Sequence, residues 1–141
     1  MAEDQSYPRV KKFFFLFIFI LSFSKAYSEN FKFIKIANLN NPWGSSFLNN
    51  DEMIITEKSG LIKIVNIINN QVNDVEHNLN FLEDGQGGLL DILHQENKVW
   101  ISYTENRGNG KTSTSIALAN LDKKNLVFKN IFQANPPINS G

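Results

Sequence analysis

Glu83-Asp84-Gly85-Gln86-Gly87-Gly88-Leu89-Leu90-Asp91 is the stretch of this chain best suited to chemistry. It sets one long amide side chain among three glycines, immediately before an apolar run. Glycine lets the backbone take positive φ and lets a ligand come close. The carboxamide of Gln86 can offer two donors and one acceptor. Such a loop suits the mouth of a binding site. The plainer alternative is a Gly-rich turn entering a buried strand, with Gln86 merely exposed.

Other polar residues are weaker candidates. His94 lies about eight strand residues beyond Gln86, roughly 26 Å away at the far end of the strand, and reads as a structural or rim histidine. His77 sits in a polar stretch and reads as solvated. Gly110-Lys111-Thr112 ends like a phosphate-binding loop, but Glu105 stands where the first glycine belongs and a strand pattern follows, so nucleotide binding is rejected. Asp91 interrupts an apolar run. As a buried carboxylate it would need a partner, either within its own sheet or by facing a channel. Glu57 is placed to tie the adjoining hairpin through backbone donors, and Trp43 and Trp100 read as packing residues between repeats.

The elements that must position these residues are strands. Phe31–Ile36, Met53–Thr56, Leu61–Val65, Val99–Tyr103, Ser115–Ala119 and Leu126–Phe128 show strand-like apolar patterns. Asn49-Asn50-Asp51, Ser59-Gly60, Asn69-Asn70 and Gly108-Asn109-Gly110 supply the turns. No segment keeps a helical period, so the chain reads as all-β. The pattern also repeats: Trp43–Leu48 corresponds to Gly87–Ile92, and Met53–Glu57 to Val99–Tyr103, at an offset of roughly 45 residues, as in propeller blades. One blade cannot bury both faces alone, and propellers close with about four to eight. Two blades would leave apolar faces and edges open, which predicts a truncated chain or one that assembles with others.

The chain's ends and composition bound the setting. Arg9, Lys11 and Lys12 precede the apolar run Phe13–Phe23, and Ala26-Tyr27-Ser28 fits a cleavage site. Residues 1–28 are therefore expected to be a signal peptide, leaving residues 29–141 as the incomplete N-terminal part of a propeller domain. A membrane span needs roughly 20 apolar residues, so no stable span is expected after cleavage. The 14 basic and 14 acidic side chains balance; the leader carries four and two of them, leaving a net charge near −2. Charge gives no support for a nucleic-acid partner. With no cysteine, the protein needs no oxidative folding and builds no Cys-ligated zinc site.

Asn41-Pro42-Trp43-Gly44, Ile55-Thr56-Glu57-Lys58-Ser59-Gly60, Asp84–Asp91, Ser102-Tyr103-Thr104-Glu105 and Ser113–Ala117 occur here in a characteristic order and spacing. Over residues 39–141 the chain resembles the pyrroloquinoline-quinone (PQQ) dependent glucose/sorbosone dehydrogenases. The resemblance implies a six-bladed β-propeller, of which this chain supplies about the first two blades. It implies PQQ and Ca2+ at the mouth of the central channel and oxidation of an aldose at its C1 hydroxyl to a lactone, with a sugar substrate and an electron acceptor as partners. It places Gln86 in the cofactor and substrate pocket. The family's general base is a His shortly after the segment matching Asn139-Ser140-Gly141, and its calcium ligands and PQQ-pairing arginines lie in later blades. No catalytic residue or metal ligand is therefore assigned within this chain, which is expected to be inactive alone and not to bind the cofactor stably. The rival is a non-catalytic propeller that binds protein or glycan; a calcium-dependent lactonase-type propeller would need carboxylate ligands this stretch lacks. The leader makes the protein periplasmic or secreted. Cleavage after Ser28 predicts a mature chain starting at Glu29, to be checked by N-terminal sequencing of the protein recovered from a periplasmic extract.

Overall fold

Thr56 is wholly buried in the second strand, and its hydroxyl is where two sheets are joined. The structure, a computed structural model, describes residues 31–140. The leader expected over residues 1–28 lies outside the described residues. Ten strands follow one another: β1 (Pro42–Phe47), β2 (Glu52–Glu57), β3 (Ile62–Asn66), β4 (Val72–His77), β5 (Leu89–Gln95), β6 (Lys98–Gly108), β7 (Lys111–Asn120), β8 (Asn125–Leu126), β9 (Lys129–Gln133) and β10 (Ile138–Asn139). No helix occurs among the described residues.

The first sheet is an antiparallel meander β1-β2-β3-β4. The second begins in the same way as β5-β6-β7, and β9 and β10 lie one after the other along the outer edge of β7. The sequence repeat is thus two four-stranded blades, each led by its inner strand. Between them the short β8 crosses to the first sheet and pairs parallel with the end of β4. The amide of Asn78 clasps that crossing by accepting the Phe128 N–H and donating to the Phe128 carbonyl.

Period-two alternation builds the core. On β6, Val99, Ile101 and Tyr103 point inward while Trp100 and Ser102 are half-buried on the other face. Val99, Ile101 and Tyr103 meet Ile54, Ile62, Ile64 and Val75 of the first sheet, with Leu89, Ile92, Ala117, Ala119, Leu126 and Phe128 completing one cluster. The outward faces remain partly open: Phe47, Leu93 and Phe132 are all exposed.

Two expected elements differ. Phe31–Ile36 forms no strand; Phe31, Phe33 and Ile34 are exposed, so the segment buries no apolar face. Conversely, β4 forms from the polar stretch around Asn73 and Glu76. It is the outer strand of its blade, so only Val75 is buried and the alternation is nearly invisible in composition.

The inner strands β1 and β5 lie side by side without a backbone ladder. The Thr56 hydroxyl accepts the Gly44 N–H at 2.9 Å and donates to the Leu90 carbonyl at 2.6 Å. Gly44 is required by this closeness, because a Cβ there would lie 2.7 Å from both Asp91 Cα and the Leu90 oxygen. Lower down, Ser46 Oγ accepts the His94 N–H, and the His94 ring contacts the Phe47 carbonyl. Gly44→Ala is expected to lower unfolding free energy by about 1–3 kcal/mol through overpacking. Thr56→Val, which strips two buried backbone groups of their partner, should cost about as much. Urea midpoints of the two variants against wild type check both.

Candidate functional site

The loop before β5 is held from both sheets. Its turn closes when Gly87 N–H donates to the Asp84 carbonyl at 2.6 Å. From the first sheet, the Lys58 ammonium donates to the Gly85 carbonyl at 2.7 Å, and the Lys58 carbonyl accepts the Leu89 N–H at 3.3 Å. From the second, Thr104 N–H donates to the Gly88 carbonyl at 2.9 Å. Gly88 has φ +144°, and a Cβ there would fall 2.3 Å from the Lys58 oxygen, so no other residue fits without moving the loop. Gln86 stands exposed at the turn.

Gln86 lines a cavity of about 320 Å³. Leu90 supplies an apolar wall, and Thr104 and Thr114, directly opposed across β6 and β7, supply hydroxyls. Thr112 and Ser140 extend this wall; β10 pairs back onto Thr112, and Ser140 is bonded to the Gly110 carbonyl through both its N–H and its hydroxyl. Among the described residues, Asp84 is the one charged residue lining the cavity, and no Lys, Arg or His lines it. Its chemistry is that of neutral hydroxyls and amides with one carboxylate at the rim.

Behind the wall lies a polar hub that the sequence reading did not single out. Glu105 accepts Ser115 Oγ at 2.6 Å, Asn130 Nδ2 at 2.9 Å and Gln133 Nε2 at 2.8 Å. Tyr103 donates to Asn130 Oδ1 at 2.7 Å, while Arg107 donates to Ser113 Oγ at 3.0 Å and lies 3.8 Å from Glu105 Oε2. These bonds fasten β9 to β6 and β7. The available signal was period two: Tyr103, Glu105 and Arg107 share the inward face of one strand, Ser113 and Ser115 that of the next.

The remaining residues fall as follows. His94 sits near the end of β5, opposite Val99, and serves the contact with β1, as a rim histidine does. His77 is not simply solvated: Nδ1 accepts the Leu79 N–H, so Nε2–H donates to the Gly60 carbonyl at 2.7 Å. Asp91 is exposed rather than buried. It stands at a bulge of β5, where its carboxylate accepts the Ile92 N–H. Glu57 is buried as a tie, but its side chain accepts the N–H of Asn40, upstream of the hairpin, and its second oxygen has no partner among the described residues. Trp43 is 42% exposed and outside the core between the sheets, with the Lys58 ammonium 5.9 Å from its ring centre. Trp100 is half-buried on the outward face of the second sheet. After Gly110 comes a strand, as expected. Among the described residues, no group of three or more His, Cys, Asp or Glu could hold a metal ion.

Residues 39–141 match the family described as Glucose / Sorbosone dehydrogenase. The aldose sugar dehydrogenase YliI of Escherichia coli (strain K12) is 28% identical over 112 residues, 73% of this chain and 30% of that protein. The crystal structure of the soluble aldose sugar dehydrogenase from Escherichia coli, in the apo form, superposes with a TM-score of 0.64 at 26% identity, over 70% of this chain and 31% of that one. The PQQ-bound aldose sugar dehydrogenase from Streptomyces coelicolor shares the fold, with a TM-score of 0.60 at 19% identity over 70% of this chain and 32% of its own. The chain thus spans about a third of the length of these relatives.

Burial pushes the Tyr103 phenol above its ordinary pKa of 10.0, and the charge of Glu105 acts in the same direction. The fold therefore favours the neutral phenol, while the unfolded chain ionises at the ordinary value. This contribution to stability is complete below pH 10.0 and is lost as pH rises through the folded value. Urea unfolding at stepped alkaline pH is expected to show that decline. Tyr103→Phe should remove this part of the decline while costing about 1 kcal/mol at neutral pH through the lost hydrogen bond.

Proposed function

The chain belongs to the glucose/sorbosone dehydrogenase family, and from this we propose that its two blades form part of an exported sugar dehydrogenase that oxidises an aldose at C1. The C1–OH becomes a lactone carbonyl, with a hydride and a proton leaving the sugar. The observation that carries the reading is Gln86, whose loop before β5 is held by both blades and which lines the cavity in a chain that matches the family over residues 39–141. Export rests on the basic n-region, the apolar run Phe13–Phe23 and the small residues before Glu29.

The resemblance and the PQQ-bound Streptomyces relative support PQQ as the hydride acceptor. The residues described here do not fit that group by themselves. PQQ is a polycarboxylate, and the cavity is lined by no cation and by one carboxylate. Nor do the described residues offer a ligand cluster for calcium. No step through the cofactor is therefore derived from this chain.

What these residues can do is bind a neutral polyol. The Gln86 carboxamide can donate to one sugar oxygen and accept from a neighbouring hydroxyl without adding charge. Thr104 and Thr114 can do the same from the facing wall. Of the two contacts the resemblance allows Gln86, cofactor and sugar, the charge of the cavity favours the sugar.

The test is aldose-dependent reduction of an electron-accepting dye, with added PQQ and Ca2+, by the natural polypeptide carrying this sequence. Gln86→Ala is expected to lower kcat/KM by about tenfold to a hundredfold, the worth of one or two polar contacts. Wild-type kinetics in that variant would overturn the role of Gln86. Aldose binding with no electron transfer in the wild type would point instead to a glycan-binding propeller.

A further inference from the structure

We propose that Asp84 determines substrate charge and hydroxyl pattern: its carboxylate accepts two neighbouring hydroxyls of a neutral aldose and turns anionic sugars away from the same cavity. This rests on the sugar-facing reading of the Gln86 cavity. The position of Asp84 is set by the turn, because its own carbonyl accepts the Gly87 N–H while the next residue is held by Lys58. Two carboxylate oxygens on one rigid plane can accept from adjacent hydroxyls together, and such bonds are stronger than those between neutral partners.

The electrostatics of the rim point the same way. Two cations lie behind the rim, each held by a hydrogen bond. Lys58 is bonded to the Gly85 carbonyl, and Arg107 to Ser113 Oγ beside Glu105. Neither lines the cavity, so among the described residues that line it Asp84 alone carries a charge. On the facing wall Thr104 and Thr114 present hydroxyls, which suit a polyol and do not compensate a second negative charge. At separations of about 5–7 Å near a wet rim, like-charge repulsion weakens an anion roughly threefold to tenfold.

The experiment compares D-glucose with D-glucuronate, which has the same ring with a carboxylate replacing the terminal alcohol, by amide NMR titration of the full chain. Glucose is expected to move the amides of Asp84–Gly87 and Thr112–Thr114, with glucuronate binding roughly threefold to tenfold more weakly. Asp84→Asn should bring the ratio to about one, weaken glucose several-fold and leave the thermal midpoint unchanged; added salt should shrink the wild-type ratio. Equal affinities in the wild type, or an unchanged ratio in Asp84→Asn, would overturn the role of Asp84 alone. No shift at the cavity with either sugar would overturn the sugar-facing reading together with it.

Discussion

The contact on which this structure depends is the hydroxyl of Thr56, shared between Gly44 of one blade and Leu90 of the next. Two sheets packed face to face are held mainly by apolar burial, which has no direction and would allow sliding. A buried hydroxyl that satisfies one N–H and one carbonyl on different sheets removes that freedom, since any slip leaves backbone groups unpaired in a dry place. Gly44 makes the contact possible by bringing the two inner strands close enough to share one side chain. The same register brings the Lys58 carbonyl to Leu89 and the Lys58 ammonium to Gly85, so the Gln86 loop is positioned by the junction itself.

Above that junction the chemistry of the core changes along β6. Its lower half buries Val99 and Ile101; its upper half turns Tyr103, Glu105 and Arg107 onto the same face. The change follows from length, because β5 ends its pairing with β6 at Leu89 opposite Tyr103. Beyond it the edge of β6 is covered only by the run through Asn80 and Leu82, with Phe81 bridging to Glu105. Less apolar surface is available there, and the strands are joined by hydrogen bonds converging on Glu105 instead. The hub stiffens the wall that carries Thr104, Thr112 and Thr114.

The parts of this fold that bury one face were legible in the sequence. Leu61–Val65, Val99–Tyr103 and Ser115–Ala119 are short apolar runs bounded by turn residues, and the spacing between repeats gave both blades and the inner-strand position of the Gln86 loop. Where a strand buries little, alternation carries little information: β4, with only Val75 buried, was hidden by its polar residues, and Phe31–Ile36 alternated in part yet forms no strand. Partners distant in sequence were equally hidden. Nothing local in Asn73–His77 announces that His77 bonds Gly60, and nothing in Tyr103–Glu105 announces Asn130 and Gln133. Asp91 was misjudged because an apolar run suggested burial, whereas a bulge turns the carboxylate outward.

The distribution of charge around the cavity follows from what each position can bear. Thr112 and Ser113 are buried at the head of β7, where an ionised group would lose its hydration without a partner. Hydroxyls can stand there because they can find partners among the strands, as Ser113 does with Arg107. Asp84 occupies the exposed rim, keeps its water in the absence of ligand and costs the fold little. A site built on this scaffold therefore places neutral groups in its wall and its charge at the entrance. Such an arrangement screens ligands by charge before it reads their hydroxyls, and Gln86, neutral and beside Asp84, stands at the boundary between the two tasks.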